Sequence, residues 1–153
     1  MNTVYVLIGA PGSGKSTWAR ENAARFGAVV VGSDDVRNDF HANGQNPLDG
    51  DAVFAEVERR ARDVLRAGRC VILDATHYRR RYRTYAVDVA RDLGARRVAL
   101  WFDVPLAECL RRNAHRSVMA FGGEPVPSQV VRDIFGQLEP PRPDEFDEIV
   151  RIA

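Results

Sequence analysis

Residues 9–16 read Gly-Ala-Pro-Gly-Ser-Gly-Lys-Ser, a spacing that suits the capture of a phosphate chain. Glycines at this density let the backbone wrap, so that successive N–H groups point at one anion on the positive end of a following helix. In the pattern G-x-x-x-x-G-K-[ST], Gly12, Ser13 and Gly14 frame the anion. Lys15 reaches the β- and γ-phosphates of a nucleotide, and the Ser16 hydroxyl ligates Mg²⁺. The plainer alternative is a glycine-rich strand-to-helix turn that binds nothing. Composition argues against it. Of the 22 basic residues 21 are arginine, and the only lysine is Lys15. A planar guanidinium does not replace a compact ammonium on a flexible stem, so position 15 needs that ammonium.

Three further stations carry candidate chemistry. Ser33-Asp34-Asp35-Val36-Arg37 follows a short apolar run. Its simple reading is a helix start capped by Ser33 or Asp34. Its chemical reading makes Asp34 a general base on an attacking hydroxyl, with Arg37 one helical turn on, facing a phosphate or acceptor. Val71-Ile72-Leu73-Asp74 is an apolar strand ending in a carboxylate that holds Mg²⁺ directly or through water. Arg111, Arg112 and Arg116 precede the glycine-containing segment Ser117–Pro127. Arg112 and Arg116 are four apart and share a helix face, as in a lid over approximately 111–127 that closes on phosphates. The alternative is a solvated helix face.

Two features are less specific. His77 could touch an acceptor, but reads first as a partly exposed histidine at a helix start. Arg79, Arg80, Arg81 and Arg83, interleaved with Tyr78 and Tyr82, could grip a nucleic-acid backbone and stack bases. More simply, they form an exposed helix start.

The elements that must position these residues alternate. Apolar runs at Val4–Ile8, Ala28–Val31, Cys70–Leu73 and Val98–Phe102 have the form of strands buried on both faces, with Ile149–Ile152 as a possible edge strand. Helical patterns fill 15–26, 34–41, 51–67 and 79–93. A further helix runs from Pro105 to about Arg116, and another, capped by Ser128, reaches about Leu138. This alternation predicts an α/β fold: a three-layer parallel sheet of four to five strands with helices on both faces. Ligands bind such sheets beyond the carboxyl ends of the strands, where Gly9, Ser33-Asp34, Asp74 and Asp103 fall.

Length and composition bound the rest. The 153 residues, 45% hydrophobic and 28% charged, suit a single domain over 1–153 with a real core. Cys70 and Cys109 lack metal-ligand spacing, and the first residues carry neither a basic segment nor a membrane-length apolar run. A cytoplasmic protein without a membrane partner is the expectation. The net charge of +1 announces no polyanionic partner through a whole-molecule field, so contact with nucleic acid would need a local patch.

Lined up, these stations resemble the kinase domain of phage-type 5′-hydroxyl polynucleotide kinases, within the P-loop kinase superfamily. The likeness runs through Gly9–Gly14 with Lys15-Ser16-Thr17-Trp18-Ala19-Arg20, then Asp34-Asp35-Val36-Arg37, Asp74-Ala75-Thr76 and Phe102-Asp103-Val104-Pro105. It ends on Glu108–Arg116 and Val126-Pro127. The resemblance implies a P-loop NTPase fold with a lid, ATP (or another NTP) as phosphate donor, Mg²⁺, and 5′-hydroxyl ends of nucleic acid as acceptor, as in nucleic-acid repair. Lys15, Ser16 and Thr17 would bind the nucleotide, Asp34 would be the base and Arg37 would hold the acceptor's 3′-side phosphate. Asp74 would be a metal-linked carboxylate, and Arg116 with Arg112 would reach the donor phosphates. The segment Ser117–Pro127 looks a few residues longer than in the phage enzyme. A fused phosphatase or ligase domain, frequent in that family, has no room here, so a stand-alone kinase or a single module is expected. Two other readings share the donor site: a kinase of small-molecule hydroxyls (sugar, nucleoside, antibiotic or adenylyl sulfate), and a regulatory nucleotide-binding ATPase.

Overall fold

The computed structural model describes residues 2–115 and 125–153. Five strands, β1 (Thr3–Ile8), β2 (Ala28–Gly32), β3 (Cys70–Asp74), β4 (Arg96–Phe102) and β5 (Glu148–Ile152), form one sheet in the order β2-β3-β1-β4-β5. Every pairing is parallel. Around it lie α1 (Lys15–Asn22), α2 (Ser33–Ala42), α3 (Gly50–Arg66), α4 (Arg80–Asp92), α5 (Leu106–Ala114) and α6 (Ser128–Gln137).

The apolar strands are buried because both faces of the sheet are covered. On one face, Val4, Val6, Ile8, Val71 and Leu73 pack against Val36 and Phe40 of α2, the α3 stripe Val53, Val57, Ala61 and Leu65, and Ala86, Val89 and Ala90 of α4. On the other, Leu7, Ile72, Leu100 and Phe102 meet Ala19 and Trp18 of α1. A smaller cluster of Ala10, Val104, Cys109 and Val131 joins α5 and α6 to the phosphate-loop end of the sheet. Phe54 shares this face of α3 and packs against the same core, only partly buried.

Register aligns the chemistry. Val6 pairs with Leu73, Gly32 with Asp74 and Ile8 with Trp101, so β1, β2 and β3 end in a row. From central β1 the chain crosses to the outer strand β2, returns to β3, then passes to β4 on the far side of β1. That change of direction opens a crevice where ligands bind in sheets of this kind.

Some boundaries shift. Regular α1 ends at Asn22 rather than near 26. The Asn22 side chain donates to the Trp18 carbonyl at 2.9 Å, competing with the backbone, and turns carry the chain to Gly27. Ser128 is not a cap but the first residue of α6. Pro127 holds the cap position, and the Val130 and Val131 N–H groups donate to its carbonyl. Pro105 likewise stands at the cap of α5 rather than inside its first turn.

Candidate active site

The phosphate loop lies between β1 and α1, where the sequence places it. The Ser13 N–H donates to the Ala10 carbonyl at 3.1 Å, closing the turn. Gly12 and Gly14 have φ of 85° and 97°, conformations that side chains rarely adopt. Gly12 needs its missing Cβ for a second reason: an added methyl would collide with the Cys109 carbonyl of α5. Lys15 is only 8% exposed, and its Nζ donates to the Ala10 carbonyl at 2.9 Å, which holds the ammonium across the loop. The Ser13 hydroxyl lies 3.4 Å from the same nitrogen. Thr17 follows on the first turn of α1.

Across the crevice the Ser16 hydroxyl donates to Asp74 Oδ2 at 2.7 Å, so residues 58 positions apart meet at the ends of β1 and β3. Asp34 occupies the first turn of α2, immediately beyond Gly32, the register partner of Asp74. Gly32, not Ser33 or Asp34, sits at the cap of α2, and no side chain caps it, so the simple capping role read from the sequence is not the one observed. Asp35 joins this group. Burial raises its carboxyl pKa above the usual carboxylate value, and the charges of Asp74 and Asp34 add to the effect. Sequence reasoning gave Asp35 no separate role; its signal was the doubled aspartate at a strand end. Arg37, one turn after Asp34, lies with its guanidinium carbon 6.0 Å from the centroid of the Phe54 ring.

Helix α5 lies against the phosphate loop. Arg112 Nη1 donates to the Ser13 carbonyl at 3.3 Å, and Arg112 Nε to Glu108 Oε1 at 2.8 Å. Arg112 therefore already touches the phosphate loop. Arg111 is held by Glu108 instead, with contacts of 2.9 and 2.5 Å. Those two guanidiniums keep the Glu108 carboxyl at about 2. Arg116, with the lid segment up to Glu124, lies outside the described residues. Asn113 brackets that segment: its amide donates to the Val126 carbonyl at 2.6 Å and accepts from the Val126 N–H at 3.3 Å.

Two sequence readings need correction. His77 is 2% exposed, not half-open at a helix start. It has φ of 46°, the only non-glycine residue with positive φ among the described residues. Burial lowers its pKa to about 4, so the ring is neutral at physiological pH. Nδ1 lies 2.7 Å from the Leu7 carbonyl and must carry the proton; Nε2 therefore accepts from the Tyr85 hydroxyl, also at 2.7 Å. The Thr76 carbonyl beside it accepts from the Gly9 N–H at 3.0 Å. The connector after Asp74 is thus pinned to the root of the phosphate loop.

Of the arginine run, Arg80 and Arg81 are exposed at the start of α4, as the simpler reading expects, and Arg79 is half-buried; Arg83 departs from it. Arg83, fully buried, forms two contacts of 2.7 and 2.9 Å with Glu145 and donates to the carbonyls of His77, Glu139 and Pro140. Arg80 pairs with Asp144 at 2.6 Å, and Arg79 with Glu139 at 3.0 Å. These residues clamp the segment between α6 and β5 onto α4. Arg81 rests over the Tyr82 ring at 4.9 Å.

The oxygen pair of Ser16 and Asp74 fits a hard divalent cation. Mg²⁺ takes one or two protein oxygens and fills its other positions with phosphate oxygens and water. Among the described residues no group of three or more His, Cys, Asp or Glu side chains is arranged around a metal site, so this pair is the candidate. Among those residues, too, no helix is long and apolar enough to cross a membrane.

The strand order, the phosphate loop and the aspartate-ended strand beside it define a kinase-like P-loop domain that binds nucleotide. Residues 4–141 match the AAA_33 family, described as an AAA domain, and the chain belongs to that family. It is 22% identical over 148 residues to the L-seryl-tRNA(Sec) kinase of Methanococcus maripaludis, covering 90% of this chain and 53% of that protein. Other curated relatives are covered to only 16%, so the chain spans about half or less of the relatives it matches. A chain of the Pnkp1/Rnl/Hen1 RNA repair complex superposes with a TM-score of 0.72 at 27% identity, over 90% of this chain and 44% of that one. A gluconokinase from Sinorhizobium meliloti 1021 shares the fold, with a TM-score of 0.66 at 22% identity, over 99% of this chain and 83% of that one.

Proposed function

We propose that the domain transfers the γ-phosphoryl group of ATP to the 5′-hydroxyl of a polynucleotide. The observation that carries this reading is the start of α2. It follows Gly32, the register partner of Asp74, and carries a carboxylate, Asp34, and a guanidinium, Arg37, one turn apart. A carboxylate suits the attacking hydroxyl, and a guanidinium one turn away suits a phosphodiester on the same acceptor. Likeness to a chain of an RNA repair complex and to a kinase of a tRNA-borne seryl group supports a nucleic-acid acceptor.

In this reading the loop amides and Lys15 bind the β- and γ-phosphates. Asp34 orients the acceptor hydroxyl and takes its proton as the oxygen bonds to the γ-phosphorus; the bond to the β–γ bridging oxygen breaks, and ADP leaves. Ser16 and Asp74 would hold Mg²⁺, which, when bound, supplies positive charge to the phosphate oxygens. Arg112, already on the loop, adds charge on the donor side, and Arg116 is assigned the same task. Positioning and electrostatics supply nearly all of the acceleration.

A small-molecule kinase shares the whole donor half, and the gluconokinase match makes it the second reading. The experiment is transfer from γ-labelled ATP to 5′-hydroxyl oligonucleotides, run beside gluconate, nucleosides and other small alcohols. Labelled oligonucleotide, with binding that weakens steeply as salt rises, is the expected result. Label only on a small alcohol moves the assignment to the second reading. ATP hydrolysis without any labelled alcohol moves it to a regulatory ATPase.

A further inference from the structure

The acceptor arginine does not stand alone. Phe54 lies on the core-facing side of α3, only partly buried, and the Arg37 guanidinium carbon of α2 stands 6.0 Å from its ring centroid. Its ring also meets His77 edge-on at 6.3 Å and Tyr85 at 5.7 Å. Tyr85 and His77 are joined by a hydrogen bond of 2.7 Å, and His77 is joined to the Leu7 carbonyl at the loop's root by another. A continuous line of contacts therefore runs from the phosphate loop through His77 and Phe54 to Arg37.

We propose that Phe54 is a positioning residue: it fixes the Arg37 guanidinium for an acceptor phosphate, and the His77–Tyr85 pair holds Phe54 at a set distance from the donor loop. The proposal rests on the polynucleotide reading above for the identity of that phosphate. The physical argument does not depend on it. A guanidinium against an aromatic face gains cation–π attraction and loses torsional freedom before any ligand arrives. Its N–H fork stays available to a phosphate, so less ordering remains to be done on binding. Phe54 shares the apolar face of α3 with Val53, Val57, Ala61 and Leu65 but, unlike them, is only partly buried, and its ring meets both a cation and a buried, hydrogen-bonded imidazole.

The test compares Phe54→Leu with Phe54→Tyr, each alone and with Arg37→Ala. Phe54→Leu should raise the oligonucleotide KM about fivefold, leaving kcat and the ATP KM within about twofold. Phe54→Tyr, which restores a ring, should return the acceptor KM toward wild type. Adding Phe54→Leu to Arg37→Ala should change nothing further, because the ring acts through the arginine. An equal rise in both KM values, or an effect that multiplies with that of Arg37→Ala, overturns the proposal. A second readout needs no acceptor: the Arg37 Nε–Hε NMR resonance, identified by its loss in Arg37→Ala, should shift in Phe54→Leu and recover in Phe54→Tyr. If the wild-type protein labels no oligonucleotide, the substrate reading fails while this resonance still judges the positioning. An unmoved resonance refutes it.

Discussion

The proposed donor and acceptor halves of the crevice are built in opposite ways. The donor half is mostly one contiguous stretch, residues 9–17, folded on its own amides, with Asp74 and Arg112 added from outside. The acceptor half has no such stretch. It is gathered from the first turn of α2, a side chain on α3 and the connector between β3 and α4. The difference teaches that the first half depends on local backbone conformation, whereas the second depends on how well distant elements are packed.

The strongest way to break this contrast is Lys15→Ala. It should reduce transfer on the order of a thousandfold while the thermal midpoint stays close to wild type, since one ammonium is lost and the loop remains. Asp34→Asn should lower kcat by about a hundredfold or more, with ATP affinity by calorimetry within about twofold. If Asp34→Asn transfers phosphate at the wild-type rate, the base lies elsewhere, and Asp35 becomes the next carboxylate to test.

The packing dependence of the acceptor side is probed by Arg83→Met. It leaves Glu145 buried without its partner and should cost about 3–5 kcal/mol in urea unfolding. The double change Arg83→Met with Glu145→Leu should cost less than the single one, because no charge is then stranded. A surface-sized effect from Arg83→Met would show that the clamp contributes little.

The smallest predicted effect concerns pH. His77 has a folded pKa of about 4 against an ordinary 6.5, so the unfolded chain binds more protons between those values. The contribution of neutral His77 is therefore complete above about pH 6.5 and is lost as pH falls toward 4, on the order of 3 kcal/mol in all. His77→Asn should flatten that part of the stability–pH curve. An unchanged slope would mean that another group titrates there.

Legibility in the sequence follows the same division. The sheet, its parallel sense and the donor loop could be read because apolar runs, glycine spacing and the lone lysine are local signals. Ser16 and Asp74 could both be marked as metal candidates because one opens the helix after the loop and the other ends an apolar strand of the same sheet. His77 was misread because its neighbours, Thr76, Tyr78 and Arg79, are polar, and only the fold brings the Leu7 carbonyl, 70 residues away, to its ring. Arg83 was misread for a similar reason. Its carboxylate partner, Glu145, arrives 62 positions later, beyond any helical spacing rule. The contact of Phe54 with Arg37, 17 positions earlier, was not legible, because no local spacing rule joins α2 to α3.

Gly12 has one more consequence. With no side chain between the nucleotide cradle and the Cys109 carbonyl, the cradle and α5 meet as bare backbone. Neither can slide without pushing the other. Whatever shifts the loop shifts α5 with it, so grip on a phosphate chain and the seating of that helix form one mechanical adjustment.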